Sequence, residues 1–199
     1  MKKIIILLFF VFAFCTVVRG QELISDEQFQ KLIGFLNEEN WQESAKLSEG
    51  LLLKIPANQQ DDDAPAIVRY MYITSEAGLM YMGKVTKDEA LKNVTGFTGH
   101  TIFLPSRTVS LKFGLNYIVS SDNKTDTLSI SGTNRKGTDL FTFESIVPAK
   151  PITKDELKGY EGKLFRIGGR LKSIKVAGNM LPHFIMVIDN AILEPGDRQ

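Results

Sequence analysis

Thiol and imidazole groups are scarce in this chain. Its 199 residues contain one cysteine, Cys15, and two histidines, His100 and His183. One cysteine closes no intrachain disulfide, so packing alone must hold the fold together. The histidines stand 83 residues apart, without the helical His spacing and third ligand that a catalytic zinc wants; no metal site and no cofactor are expected. Asp61-Asp62-Asp63 lacks the alternating ligand spacing of a calcium loop and reads as a solvated connection. Charge of one sign is missing too: 24 basic residues face 23 acidic ones. Also absent is an apolar run of the ~20 residues a membrane-spanning helix needs. Ile4 to Cys15 is a run of twelve.

That short run has another reading. Lys2 and Lys3 ahead of it form a positive n-region, and the whole fits a secretory signal peptide over residues 1–20. Cleavage after Gly20 places Val18 and Gly20 at the −3 and −1 positions. Phe14 is too large for the position before a lipidated cysteine, so lipidation of Cys15 is not expected. The mature chain would start at Gln21 without a cysteine. Loss of Lys2, Lys3 and Arg19 leaves 21 basic against 23 acidic residues, a balance of −2. This near-neutral chain has no global attraction for nucleic acid or anionic membrane. The Lys-Lys-Ile-rich leader ending in Gly-Gln looks bacterial, so the expected address is periplasmic or extracellular.

The period of the apolar residues changes near residue 96. Before it, Phe29, Leu32, Ile33 and Leu36 recur at helical spacing, and Ser25 with Gln28 forms a capping box. A second helix is expected from Trp41 to Lys54, with Trp41, Ala45, Ser48, Leu52 and Ile55 on its buried side. A third runs from Pro65 to Met82 on a face of Ile67, Tyr70, Met71, Thr74, Ala77 and Tyr81. Gly83 supplies its left-handed cap, and Thr86 with Glu89 opens a fourth helix. After residue 96 the period is two. Gly114–Ser121, Asp126–Ser131 and Asp139–Val147 form a three-strand meander, and His100–Pro105 adds a further strand or begins the first. Thr153 with Glu156 caps a short helix, and strands Lys163–Val176 and Pro182–Leu193 follow. The predicted fold is α+β, with a helical domain over residues 21–95 and a five- to six-stranded antiparallel barrel over residues 96–199.

Two helix pairs with Trp41 and small residues inside resemble tetratricopeptide helical hairpins over about 70 residues. The order of three strands, helix and two strands resembles the OB-fold over about 85 residues. That second likeness implies an oligonucleotide or oligosaccharide face between loops Ser120–Thr125 and Val176–Pro182.

The stretch "FRIGGRLKSIK", Phe165–Lys175, carries the strongest functional temptation. Adjacent glycines inside a strand pattern satisfy neither the P-loop nor the dinucleotide fingerprint. The stretch reads as a bent strand with Phe165, Ile167, Gly169, Leu171 and Ser173 inward and a bulge near Ser173. Its outer face offers Arg166, Arg170, Lys172 and Lys175 as a ligand-binding strip. Nucleic acid is disfavoured, because no stacking aromatics interleave with these cations. Tyr70, Tyr72, Tyr81 and Met82 on the third helix are candidates for a partner groove. No nucleophile elbow or triad spacing is present, so catalysis is not expected. The leading expectation is an exported, non-catalytic interaction protein of the bacterial envelope that binds a protein partner. The alternative is an OB-type module for an oligosaccharide, peptide or anionic chain; the third is a hydrolase using His183 or unrecognised carboxylates.

Overall fold

In the computed structural model of this protein, residues 23–112, 114–120 and 127–196 are described. The leader, Cys15, the cleavage position and nearly all of the Ser120–Thr125 loop lie outside them. The elements are α1 (Asp26–Asn37), α2 (Trp41–Leu52), α3 (Asp63–Tyr81), α4 (Lys87–Thr95), β1 (Thr101–Val109), β2 (Tyr117–Ser120), β3 (Leu128–Thr133), β4 (Leu140–Pro148), α5 (Lys154–Tyr160), β5 (Leu164–Ala177) and β6 (His183–Pro195).

Local chemistry sets the helix ends. Ser25, Thr86 and Thr153 each accept from the backbone three residues on, while Gln28, Glu89 and Glu156 reach back to the cap N–H. Such reciprocal pairs satisfy donors that a helix start otherwise leaves free. At the end of α3, Gly83 adopts φ +66°, and the N–H groups of Gly83 and Lys84 return to the carbonyls of Met80 and Leu79. This is a Schellman ending, with glycine where a left-handed residue is required. The same ending closes α1 with Glu39 at φ 56°, a position a side chain tolerates poorly.

α3 is the central element, and the single face expected for it is too narrow. Val68, Arg69, Tyr72, Ile73, Ser75 and Glu76 are buried as well, whereas Ile67, Met71, Thr74 and Tyr81 are half-buried. The reason is that α3 packs against α2 and α4 on one side and against β1, β4 and β6 on the other, so no side faces water. Trp41 joins these layers. Its indole lies on Gly78, where an added Cβ would come 2.4 Å from Trp41 Cδ2. Its edge meets the Phe141 ring at 5.1 Å between centroids and 81°. Helices and barrel thus share one hydrophobic cluster.

The barrel is closed, in the order β1-β2-β3-β4-β6-β5. The expected antiparallel sheet is corrected to a mixed one: β1–β2 and β4–β6 are parallel. β5 and β6 form a hairpin, and it is β6 rather than β5 that returns beside β4, after the α5 crossover. Parallel neighbours need such a connection. Within β5, Phe165, Ile167, Gly169 and Leu171 are buried and Ser173 is exposed. Register shifts fall between Gly168 and Arg170 and between Leu171 and Ser173. The two glycines also permit close approach: a Cβ on Gly168 would sit 2.0 Å from Phe103 Cε1, and one on Gly169 would sit 2.6 Å from Ile188 Cγ2.

Candidate functional site

The basic strip of β5 is divided between two environments. Arg166 donates to Glu194 Oε2 at 2.8 Å and to Asp63 Oδ2 at 3.4 Å. Its guanidinium also lies 4.5 Å from the centre of the Phe103 ring. Arg170 Nε donates to the Gly99 carbonyl at 2.8 Å. Both therefore tie β5 to its surroundings. Lys172 and Lys175 project from the exposed face.

The tyrosines of α3 point to three different places. Tyr70 is buried and donates to Glu144 Oε1 at 2.8 Å. Tyr72 is buried edge-on against Phe97, and burial, aided by nearby Glu76, pushes its phenol well above the ordinary range. Tyr81 donates to Asp139 Oδ1 at 2.6 Å. Only Met82 of the proposed groove set is largely exposed, at 57%.

What the structure does assemble is a cleft at the seam between helices and barrel, about 430 Å³ in volume. Register explains its position. β1 meets β2 at only Thr108↔Tyr117 and Val109↔Ile118, so the earlier part of β1 is left beside the end of β3, and α3 covers the gap. The floor is apolar, from Leu36, Trp41, Met71 and Phe141. The barrel wall brings Pro105, Arg107, Asn116, Thr133 and Arg135. Among the described residues lining the cleft, two are arginines and none is a carboxylate.

The polar wall is organised by short-range bonds. Asn116, at φ 59°, donates from Nδ2 to Thr133 Oγ1 at 2.6 Å and accepts from Thr133 N at 3.1 Å. Asn134 accepts from Thr138 N at 2.9 Å and donates to Asp139 Oδ2 at 2.7 Å, which fixes the turn carrying Arg135. From that turn Arg135 Nη1 reaches the Asn37 carbonyl at 3.2 Å, so the cation sits where α1 ends and the barrel begins.

Beneath the cleft lies a buried carboxyl. Glu144 is fully buried inside the barrel, and its Oε2 has no hydrogen-bond partner among the described residues. Burial raises its pKa above the ordinary 4.5, opposed by Thr142, Tyr70 and the charge of Arg107. Gly132 makes room for Thr142, since a Cβ there would lie 2.2 Å from Thr142 Oγ1, and it would also lie 3.4 Å from Glu144 Oε1. Arg107 thus lines the cleft, and its charge acts on the buried acid beneath. The geometry suits binding of an anionic group carrying apolar substituents.

Polar side chains outside the cleft attach the helices to the barrel. Arg69, 1% exposed, donates to Thr101 O at 2.9 Å, to Gln60 Oε1 at 2.8 Å and to the Gln60 carbonyl. Asp61 accepts from Thr101 N at 2.8 Å and meets His100 Nδ1 at 3.2 Å. The acidic run stays exposed to solvent, as expected, and Asp61 within it also fastens the connection ahead of α3 to β1. His183 Nδ1 lies 3.0 Å from the Leu181 carbonyl, at the start of β6. No cluster of three potential metal ligands occurs among the described residues, and none of their helices is long and apolar enough to cross a membrane.

Sequence reasoning passed over Arg107, Arg135 and Trp41 as site residues. Arg135 sits in "NRKG", which carries only a turn signal, and Arg107 carries no local signal at all. Comparison with protein-family models, curated proteins and solved structures finds no match for this chain.

Proposed function

We propose that this chain is an exported, non-catalytic interaction protein of the bacterial cell envelope that binds an acidic segment of a protein partner. The binding site is the helix–barrel cleft. The observation that carries this reading is the lining itself: an apolar floor around Trp41, with Arg107 and Arg135 above it and no acid among the described lining residues. A carboxylate paired with either arginine in this half-enclosed space is screened less than at an open surface. The apolar floor then selects segments that mix acidic with aromatic or aliphatic residues.

The fold reading goes with it. A meander, a helix and a hairpin, with the first strand beside the fifth, support an OB-like barrel. The α1–α2 and α3–α4 pairs support tetratricopeptide-like hairpins packed against it. The alternative, an anionic chain or oligosaccharide on the outer face of β5, has less support. Arg166 and Arg170 are already engaged by Glu194, Asp63 and Gly99.

Affinity capture from an envelope extract tests the proposal, with the mature wild type and Arg107→Glu/Arg135→Glu as paired baits. A partner held by the cleft is lost from the double variant by at least about tenfold. An unchanged partner set on a normally folded double variant contradicts it.

A further inference from the structure

Two loops of this molecule expose apolar side chains among lysines. One is the turn between β5 and β6, where Met180 is 92% and Leu181 59% exposed. The other joins α3 to α4, beginning with Met82 at 57% exposure. They meet: Lys87 Nζ donates to the Gly178 carbonyl at 2.7 Å, and α4 packs on β5. Each loop also lacks acids. "MGKVTK", Met82–Lys87, contributes Lys84 and Lys87, and Leu171–Ile188 contains Lys172, Lys175 and no Asp or Glu. Asp88 is the nearest exposed acid in sequence, directly after Lys87.

We propose that these paired loops dock the protein on an anionic lipid bilayer surface, with Met180 and Leu181 entering the interfacial layer and the lysines facing lipid headgroups. Shape favours this occupant over a protein. The turn is the projecting end of a hairpin, with Ala177 paired to His183. A protein hot spot draws on aromatic residues and arginine, and lysine is depleted there. Lysines around a few inserted apolar side chains are the usual makeup of a peripheral membrane contact. The turn is also held in shape: Gly178 takes φ +79°, where a Cβ would lie 2.2 Å from the Leu181 carbonyl oxygen. The near-neutral balance of the whole chain does not oppose this, because headgroup attraction acts within about a Debye length of the surface.

The test is co-sedimentation of the mature protein with phosphatidylglycerol/phosphatidylcholine vesicles and with pure phosphatidylcholine vesicles. Binding is expected only to the anionic vesicles and should fall as salt rises. Met180→Asp/Leu181→Asp and, separately, Lys84→Glu/Lys175→Glu should each weaken it by at least about tenfold. All four positions are exposed on loops or the open strand face, and an unchanged thermal midpoint verifies folding. The mature chain lacks cysteine, so an environment-sensitive dye on Met180→Cys gives a second readout. Its emission should shift to the blue on anionic vesicles. No binding, equal binding to neutral vesicles, or an unshifted dye overturns the proposal. So does capture of a protein partner that depends on Met180 while vesicle binding is absent.

Discussion

Two regions of this molecule break the ordinary rule of apolar inside and polar outside, in opposite senses. Arg69 and Glu144 are buried where α3 meets the barrel, and Glu76 is buried where α3 meets α4. At the β5–β6 turn, Met180 and Leu181 stand in water. The first inversion is compensated within the chain at every one of these groups except Glu144 Oε2. Arg69 has three acceptors, Glu144 has the Tyr70 hydroxyl, and Glu76 accepts from Asn93 Nδ2 at 3.1 Å. The second has no compensation inside the described molecule. Buried polar groups with partners therefore mark what holds α3 to the barrel and to α4, and exposed apolar groups mark a surface whose partner is elsewhere. The cleft lies between these extremes, with its apolar floor and cationic wall only partly enclosed.

Substitutions on the two sides should differ sharply in their effect on stability. The largest is expected for Arg69→Met, which leaves the Thr101 and Gln60 acceptors and Asp61 without their cation. The cost should be about 3 kcal/mol, read as a drop in the urea midpoint. A result near zero would show that the Arg69 clamp is not what joins the units. Gly78→Ala comes next. The methyl would drive Trp41 away from α3, and the overpacking outweighs the gain in helix propensity, for a net loss of about 1–2 kcal/mol. If this variant is stabilised, Trp41 does not hold α2, α3 and β4 together as described.

The buried acids on either side of α3 give stability a pH signature. Both Glu76 and Glu144 have pKa values raised by burial above 4.5. Below 4.5 both states hold the proton and burial costs nothing through ionisation. As pH climbs past that value the unfolded chain ionises first, so stability falls until the folded carboxyls ionise as well. Urea midpoints of the wild type should therefore decline as pH rises above 4.5, as far as these two groups act. Glu144→Gln should flatten that decline while keeping a side-chain acceptor for Tyr70. An identical pH slope in the variant contradicts the buried-acid account.

Smaller still is Glu39→Gly, which relieves a left-handed φ at the end of α1 and should add about 0.5–1 kcal/mol. The smallest effect belongs to the opposite side of the comparison. Met180→Asp should leave stability within about 0.5 kcal/mol, because no packing is lost. A larger loss in calorimetry would mean that the turn is packed in the native state.

How much of this was legible in the sequence follows from how local each feature is. The capping boxes at Ser25, Thr86 and Thr153 and the cap at Gly83 depend on residues three or four apart, and they locate the helix ends well. Alternation marked β3, β4 and β5 for the same reason. The parallel pairing of β4 with β6 depends on a crossover through α5 and β5, which no short window contains. Arg69 sits on a helix where a basic residue ordinarily signals a solvated face; its burial needs α3 to be covered by barrel and helices together. The cleft was least legible, since Leu36, Trp41, Met71, Arg107 and Arg135 come from five separate segments. The β5 cations were visible as a strip because they fall within ten residues of one strand, and the fold uses Arg166 and Arg170 as ties.

Trp41 is the only tryptophan in the chain and lines the cleft, so its fluorescence tests acidic-segment binding most directly. Titration with short acidic peptides containing an aromatic residue should give a saturable change in Trp41 emission, and basic peptides of equal length should give none. In Arg107→Glu/Arg135→Glu the acidic response should be lost. A Trp41 signal indifferent to acidic peptides, or one that persists in the double variant, would contradict the account.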